Sequence, residues 1–372
     1  MASLVFLVFL LFLFPVSLLL LLAFLVRPRP LSIPIKDRHV FISGGSSGIG
    51  LALARRAAAE GARVSILARS PEKLEEARAS IRLATGIDVS VFSADVRDLH
   101  AVRNALHEAG PVDVLICNQG VFVPQELEKQ EMSAVKFMID VNLMGTFHLI
   151  KAALPGMKAR AGRGPGSIAI MSSQGGQVGI YGYTAYSASK FGLRGLGEAL
   201  QQEVIADNIH VSLIFPPDTE TPGFIEENKI RPELSSLIAA SSGAMTAEAV
   251  AEKSLKGIKS GSFIVSCNFD GFMLSLATAG LAPQRSYLMA FLEVATADWD
   301  AEMPSDTAIF EMGMELSVAW KSHFFQLKKK ELQNTLTKLL FELRKLHESA
   351  QKMLVVTPAP VLHANADSKE IQ

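Results

Sequence analysis

Apolar and polar positions divide the chain into three unlike stretches. From Leu4 to Val26 there is no charged residue, and Pro15 is the only helix breaker. Such a run is long enough to span a bilayer. Neither a basic start nor a small-residue cleavage site precedes Arg27, so residues 1–30 are expected to be a retained anchor rather than a cleaved signal. Arg27, Arg29, Lys36, Arg38 and His39 follow the segment and no Lys or Arg precedes it, which predicts a lumenal N-terminus and a cytosolic remainder.

The middle stretch alternates short apolar runs with longer mixed ones. His39–Ser43, Ala62–Ala68, Val89–Ser93, Val112–Cys117, Ser167–Met171 and His210–Phe215 read as strands. Leu51–Glu60, Pro71–Leu83 and further stretches between the later strands read as helices. Strand and helix in alternation imply an α/β fold with a doubly wound parallel sheet, placed at residues 37–262. Beyond it, Phe263–Leu292 is apolar but interrupted by Asn268, Asp270, Pro283, Gln284 and Arg285. It reads as partly core and partly a hydrophobic lip, within a segment taken as 263–297. The last part, 298–372, is a polar helical tail. There Leu332, Leu336, Leu339, Leu343, Leu346, Ala350 and Met353 alternate by four and three. That spacing fits a coiled-coil seam joining copies of the chain into a homo-oligomer, or an amphipathic helix lying on the catalytic domain. Lys328–Lys330 reads as a solvated face, and the residues from Thr357 as disordered.

Composition narrows the chemistry. Hydrophobic residues make up 49%, enough for a sizeable core. Thirty-six Lys and Arg against 37 Asp and Glu leave a net charge of −1, so the basic footprint of a nucleic-acid binder is missing. Cys117 and Cys267 lie too far apart in sequence to propose a disulfide framework or a metal cluster, and they suit a reducing compartment.

Two constellations carry chemistry. Gly44, Gly48 and Gly50 stand where a strand ends and a helix begins, with Ser46, Ser47 and Ile49 between them. Small residues there let a pyrophosphate approach the backbone and the helix N-terminus. At the end of the second strand, where an NAD enzyme would place an acid, the chain has Arg69, and Lys73 follows one turn later. Cations there suit a 2′-phosphate and hence NADP, the alternative being a solvated basic pair. In the second constellation, Tyr186 and Lys190 are four residues apart on one helix face, and Ser172 and Ser173 lie at a strand end. An ammonium beside a phenol favours the phenolate and lowers its pKa, which suits proton exchange with a carbonyl oxygen. A serine hydroxyl facing the same point can hold that oxygen; neighbours on a strand face opposite ways, which leaves Ser172 as an alternative to Ser173.

On these residues the chain resembles the short-chain dehydrogenase/reductase family. Ser43–Gly50 matches the family's cofactor turn, Cys117-Asn118-Gln119-Gly120 its Asn-Ala-Gly motif, and Asn142, Ser173, Tyr186 and Lys190 its catalytic tetrad. The resemblance implies a Rossmann sheet, Asp95 near the adenine, Asn118 and Gly120 supporting the adenine side, and Asn142 holding a relay water. Ser43 for the usual Thr and Gln119 for the usual Ala are its departures. The stretches 183–190, 215–224 and 270–275, behind an N-terminal apolar segment, further resemble the plant branch that reduces long-chain 3-keto sphingoid bases. That likeness runs to about Thr296. It implies NADPH as cofactor, a lipid ketone as substrate and an endoplasmic-reticulum membrane location. Steroid or retinoid reduction by the same tetrad, or a membrane-held NADPH-binding scaffold without turnover, are the alternative readings.

Overall fold

The computed structural model describes residues 31–159, 162–240 and 243–278, with Phe14 and Ser17 besides. The anchor at 4–26, the remainder of the apolar segment from residue 279 and the tail at 298–372 lie outside the described residues. Elements follow in the order β1 (His39–Ser43), α1 (Gly48–Ala59), β2 (Arg63–Ala68), α2 (Pro71–Thr85), β3 (Ser90–Ser93), α3 (Leu99–Ala109) and β4 (Val114–Cys117). Then come α4 (Met132–Met138), a π-helical turn (Ile139–Met144), α5 (Gly145–Lys158), β5 (Gly166–Met171), α6 (Thr184–Val204) and β6 (Ile209–Phe215). A short ladder, β7 (Thr219–Glu220) with β8 (Met245–Thr246), brackets α7 (Pro222–Asn228) and α8 (Glu233–Ala240). The described chain closes with α9 (Ala247–Lys259), β9 (Ile264–Ser266) and α10 (Phe269–Ala277).

Seven strands form one parallel sheet in the order β3-β2-β1-β4-β5-β6-β9. Its central strands are buried along their whole length, as strands covered on both faces by helices must be. The strand pleat then sorts side chains into two layers. Val40 and Ile42 point into a core with Leu53, Val64, Ile66 and Leu255, whereas Phe41 joins Leu115, Leu149, Ile168 and Leu213 on the opposite face. Each of the six strands expected from sequence is present within two residues of its predicted ends. The seventh, β9, lies in the segment expected to be part core and part lip, and it extends the sheet beyond residue 262 by pairing with β6.

Order reverses between β1 and β4, and at such a switch point the carboxyl ends of the strands open a crevice. The continuous helical run 132–158 crosses beside it. That run is long and apolar enough to cross a membrane, yet it packs Leu149, Ile150, Ala153 and Met157 into the core. We read it as a core helix. Its π-turn buries Asn142 completely.

Candidate active site

One cleft of about 640 Å³ runs along the strand ends, from Arg69 and Asp95 at one end to Glu227 and Arg231 at the other. Its first end is made of backbone. Gly44 and Gly48 adopt φ of +64 and +52, conformations that L side chains rarely take. A Cβ at Gly50 would sit on the Gly44 carbonyl oxygen and 2.6 Å from Asn118 Nδ2, so the turn closes only around glycine. Asn118 Nδ2 donates to that same oxygen at 3.2 Å, locking β4 to the turn. Ser47 is the N-cap of α1 but makes no side-chain cap bond, in contrast to Ser70, Asp98, Thr221, Thr246 and Asn268 at other helices. The first amides of α1 are thus uncapped beside a cleft that Ser46, Ser47, Gly48 and Ile49 line, which fits a dinucleotide pyrophosphate.

Arg69 and Lys73 also line this end, both exposed and neither in a salt bridge among the described residues. Asp95, expected near the adenine, is held by Arg97 at 2.7 Å, and that hydrogen-bonded partner keeps its carboxyl below the usual range. Ser43 and Gln119, the two departures from the family pattern, are partners. The Ser43 hydroxyl bonds Gln119 Oε1, Gln119 Nε2 donates to Thr146 Oγ1 at 2.9 Å, and Thr146 Oγ1 donates to the Asn142 carbonyl at 2.7 Å.

Midway along the cleft the expected tetrad converges. Ser172 and Ser173 divide as neighbours on an extended chain do. Ser172 Oγ turns inward and donates to the Lys190 carbonyl at 3.0 Å, pinning β5 to α6. Ser173 faces the Tyr186 phenol across the cleft, close enough to favour its ionised form, and its Oγ accepts from Gly175 N at 3.1 Å. Tyr186 and Lys190 share a face of α6, with Nζ 5.6 Å from the ring centroid and donating to Met171 O at 2.9 Å. Asn142 spends its amide on Val121, accepting from its N–H at 2.8 Å and donating to its carbonyl at 2.9 Å, and donates also to Ser189 Oγ at 2.9 Å. A Cβ at Gly120 would lie 3.5 Å from Lys190 Nζ and 3.8 Å from Asn142 Oδ1, ordinary contacts that place the backbone after β4 beside the ammonium.

Electrostatics here are set by burial. Lys190, 3% exposed, has its pKa pushed down to about 8 by desolvation. The Tyr186 phenol is raised, first by burial and then by the charges of Glu227 and Asp218, against the lowering from the Ser173 hydroxyl. Lys190, which its spacing suggested would lower the phenol, is not among the charges that shift it, and the net shift is upward. A protonated phenol at neutral pH is the form a proton donor needs.

The far end holds residues for which the sequence reading found no chemistry. Arg231 Nη1 and Nη2 grip the Asp218 carboxylate at 2.6 and 3.0 Å, Nη2 reaches Glu227 Oε1 at 3.1 Å, and Nε donates to the Tyr183 hydroxyl at 2.7 Å. Tyr183 in turn bonds Glu227 Oε1, and its ring packs edge-on against Tyr186 with centroids 5.8 Å apart. Asp218 and Tyr183 were in view in the 215–224 and 183–190 stretches, but no local spacing joins them to each other or to Arg231.

Sheet order, glycine turn and Ser-Tyr-Lys cluster together define a nicotinamide-dependent oxidoreductase. Over residues 38–231 the chain matches the profile described as short chain dehydrogenase, and it belongs to that family. It is 66% identical over 282 residues to the 3-dehydrosphinganine reductase TSC10B of Arabidopsis thaliana, covering 76% of this chain and 85% of that one. It is 37% identical over 291 residues to the 3-ketodihydrosphingosine reductase of Bos taurus, covering 76% and 86%. Among solved structures it resembles L-sorbose reductase from Gluconobacter frateurii complexed with NADPH and L-sorbose, at TM-score 0.56 and 26% identity over 63% of this chain and 95% of that one.

Proposed function

We propose that the chain reduces the C3 ketone of 3-dehydrosphinganine to the alcohol of sphinganine with NADPH, in sphingolipid synthesis. The observation that carries this reading is the joining of the Ser173–Tyr186–Lys190 cluster to the glycine turn in one cleft, in a chain two-thirds identical to a reductase of that name. When bound, NADPH supplies the hydride for the carbonyl carbon. Tyr186 gives its phenolic proton to the carbonyl oxygen, and Ser173 holds that oxygen by a hydrogen bond. Lys190 holds the nicotinamide ribose and restores the proton to Tyr186, with Asn142 ordering the relay water. Gly44, Ser46, Ser47, Gly48, Ile49 and Gly50 receive the pyrophosphate, Arg69 and Lys73 the 2′-phosphate, and Asp95, Asn118 and Gly120 flank the adenine side.

A ketone with a long alkyl chain resides in the bilayer, each buried methylene contributing about 0.8 kcal/mol. An enzyme anchored by residues 4–26 in the endoplasmic-reticulum membrane, its catalytic domain in the cytosol, meets that substrate at the surface. On α10, Phe269, Phe272 and Met273 are exposed and Leu274 lines the cleft, which suits passage of an alkyl tail. Tyr186→Phe tests the reading: sphinganine formation from 3-dehydrosphinganine should fall by roughly 10²–10⁴-fold, with NADPH binding retained. Near-normal turnover would refute it.

A further inference from the structure

We propose that Glu227 and Asp218 form the subsite for the substrate's ammonium group, so that the cleft selects ketones carrying an amine on the adjacent carbon. The inference rests on the reductase reading above. In 3-dehydrosphinganine the amine-bearing carbon is bonded directly to the carbonyl carbon, which puts nitrogen roughly 3 Å from the oxygen that Ser173 and Tyr186 hold. Whatever receives that ammonium must therefore flank Tyr186.

The Asp218–Glu227–Arg231 cluster has that position. Asp218, Glu227 and Arg231 line the same cleft as Ser173 and Tyr186. Tyr183 links the two groups, packing its ring on Tyr186 while its hydroxyl bonds Glu227. Both carboxylates act electrostatically on the Tyr186 phenol. The charges are also unequal. Two carboxylates share one guanidinium, which Asp218 already grips with both oxygens, and among the described residues no other cation pairs with either acid. Glu227, 7% exposed, takes both of its bonds on Oε1, which leaves Oε2 without a hydrogen-bond partner among the described residues. Oε2 is not among the fully buried unpartnered atoms, so it keeps access to the cleft that Glu227 lines, where a substrate ammonium can pair with it. Arg231 orients the pair and offsets only one of their two negative charges.

The test compares 3-dehydrosphinganine with its deaminated counterpart, 1-hydroxyoctadecan-3-one, using the full-length protein, NADPH and one detergent. Wild type should show kcat/KM for the amine about 10–100-fold above that for the deaminated ketone, the range for a hydrogen-bonded charge. Glu227→Gln keeps Oε1 as acceptor for Tyr183 and Arg231 but removes the charge. It should raise KM for the amine about tenfold or more and leave the deaminated ketone within about threefold. Asp218→Asn should act in the same direction. Equal loss on both substrates in Glu227→Gln would mark the cluster as structural and overturn the subsite. Should that variant not fold, the wild-type comparison alone decides: equal kcat/KM for the two ketones overturns the subsite and leaves the reductase standing. Turnover of neither overturns both.

Discussion

The two ends of the cleft are built from different materials. At the cofactor end the shape is backbone: a single turn, Gly44 to Gly50, closes on a carbonyl, and the amides at the start of α1 are left uncapped. At the substrate end the shape is side chain. Arg231, Asp218, Glu227 and Tyr183 come from four places and hold one another through charged hydrogen bonds. A backbone cradle suits a ligand common to many enzymes, because it reads phosphate and little else. A side-chain cluster can change by substitution without touching the fold, which is where specificity for one ketone can reside.

The largest expected effect would break the substrate end. Arg231→Met leaves two carboxylates beside each other without their cation, and removing one partner of a buried ion cluster costs about 3–5 kcal/mol. Thermal denaturation of the full chain at neutral pH should show the loss. The loss should shrink on acidification. Burial already raises the Glu227 carboxyl above its ordinary value, so the native state binds more protons than the unfolded chain there, and stability falls as pH rises through the folded pKa. Without Arg231 that pKa moves further up, and the slope with it. A pH-independent penalty would mean lost packing rather than charge.

The counterpart at the cofactor end is Gly50→Ala. Its methyl would meet the Gly44 carbonyl and the Asn118 amide, neither of which can withdraw without opening the turn. Overpacking of this kind costs about 1–3 kcal/mol or more, and NADPH binding by fluorescence titration should be lost. Gly195→Ala is the control. It is an exposed position in α6 with nothing within 4 Å, so the variant should gain about 0.5–1 kcal/mol and bind cofactor normally.

The same contrast explains what could be read from the chain before its structure. The glycine turn is contiguous, and Tyr186 and Lys190 are a helical four apart, so local spacing was enough for both. Asn142 needed the family pattern, because nothing local marks a buried asparagine in a π-turn. Family spacing favours Ser173, but the local pattern alone leaves Ser172 open, since the choice depends on which one meets the Lys190 carbonyl from another element. β9 is three residues long and only its middle residue is buried, so no periodicity announces it. The Asp218–Glu227–Arg231–Tyr183 cluster was the least legible: Arg231 and Tyr183 are 48 residues apart, and only the folded chain brings them together.

Lys190 stands between the two ends and tests whether the site is optimised for stability. Burial lowers its pKa from 10.5 to about 8, which at about 1.4 kcal/mol per unit corresponds to a cost near 3 kcal/mol for the charged form. Lys190→Met should remove that cost while losing the bond to Met171 O, for a net gain of about 1–3 kcal/mol at pH 7 and no reductase activity. Between about pH 8 and 10.5 the unfolded chain binds the proton that the native lysine has lost, so wild-type stability rises across that window. The advantage of the variant should therefore disappear by the top of the window. Melting curves of both proteins at about pH 7 and pH 10 measure it, and a destabilised Lys190→Met at pH 7 would mean that the bond to Met171 outweighs desolvation.

The smallest effect asks whether the buried side chains behind the glycine turn matter. Gln119 joins Ser43 to Thr146, and Thr146 to the carbonyl of Asn142, so a chain of hydrogen bonds runs from the glycine turn to the tetrad. Removing Gln119 leaves few orphans. Ser43 Oγ still accepts from Asn118 N at 3.1 Å and can donate to Ile116 O at 3.3 Å, and Thr146 still donates to Asn142. Gln119→Ala should therefore cost only about 1 kcal/mol, with kcat within about threefold of wild type. A double-mutant cycle with Ser43→Ala should give a coupling of about 0.5–1.5 kcal/mol, since the two touch directly. If Gln119→Ala instead costs as much as Arg231→Met, the cofactor end depends on its side chains too, and the contrast between the two ends does not hold. If stability is kept but kcat drops tenfold or more, the chain of bonds positions Asn142, and the turn and the tetrad work as one unit.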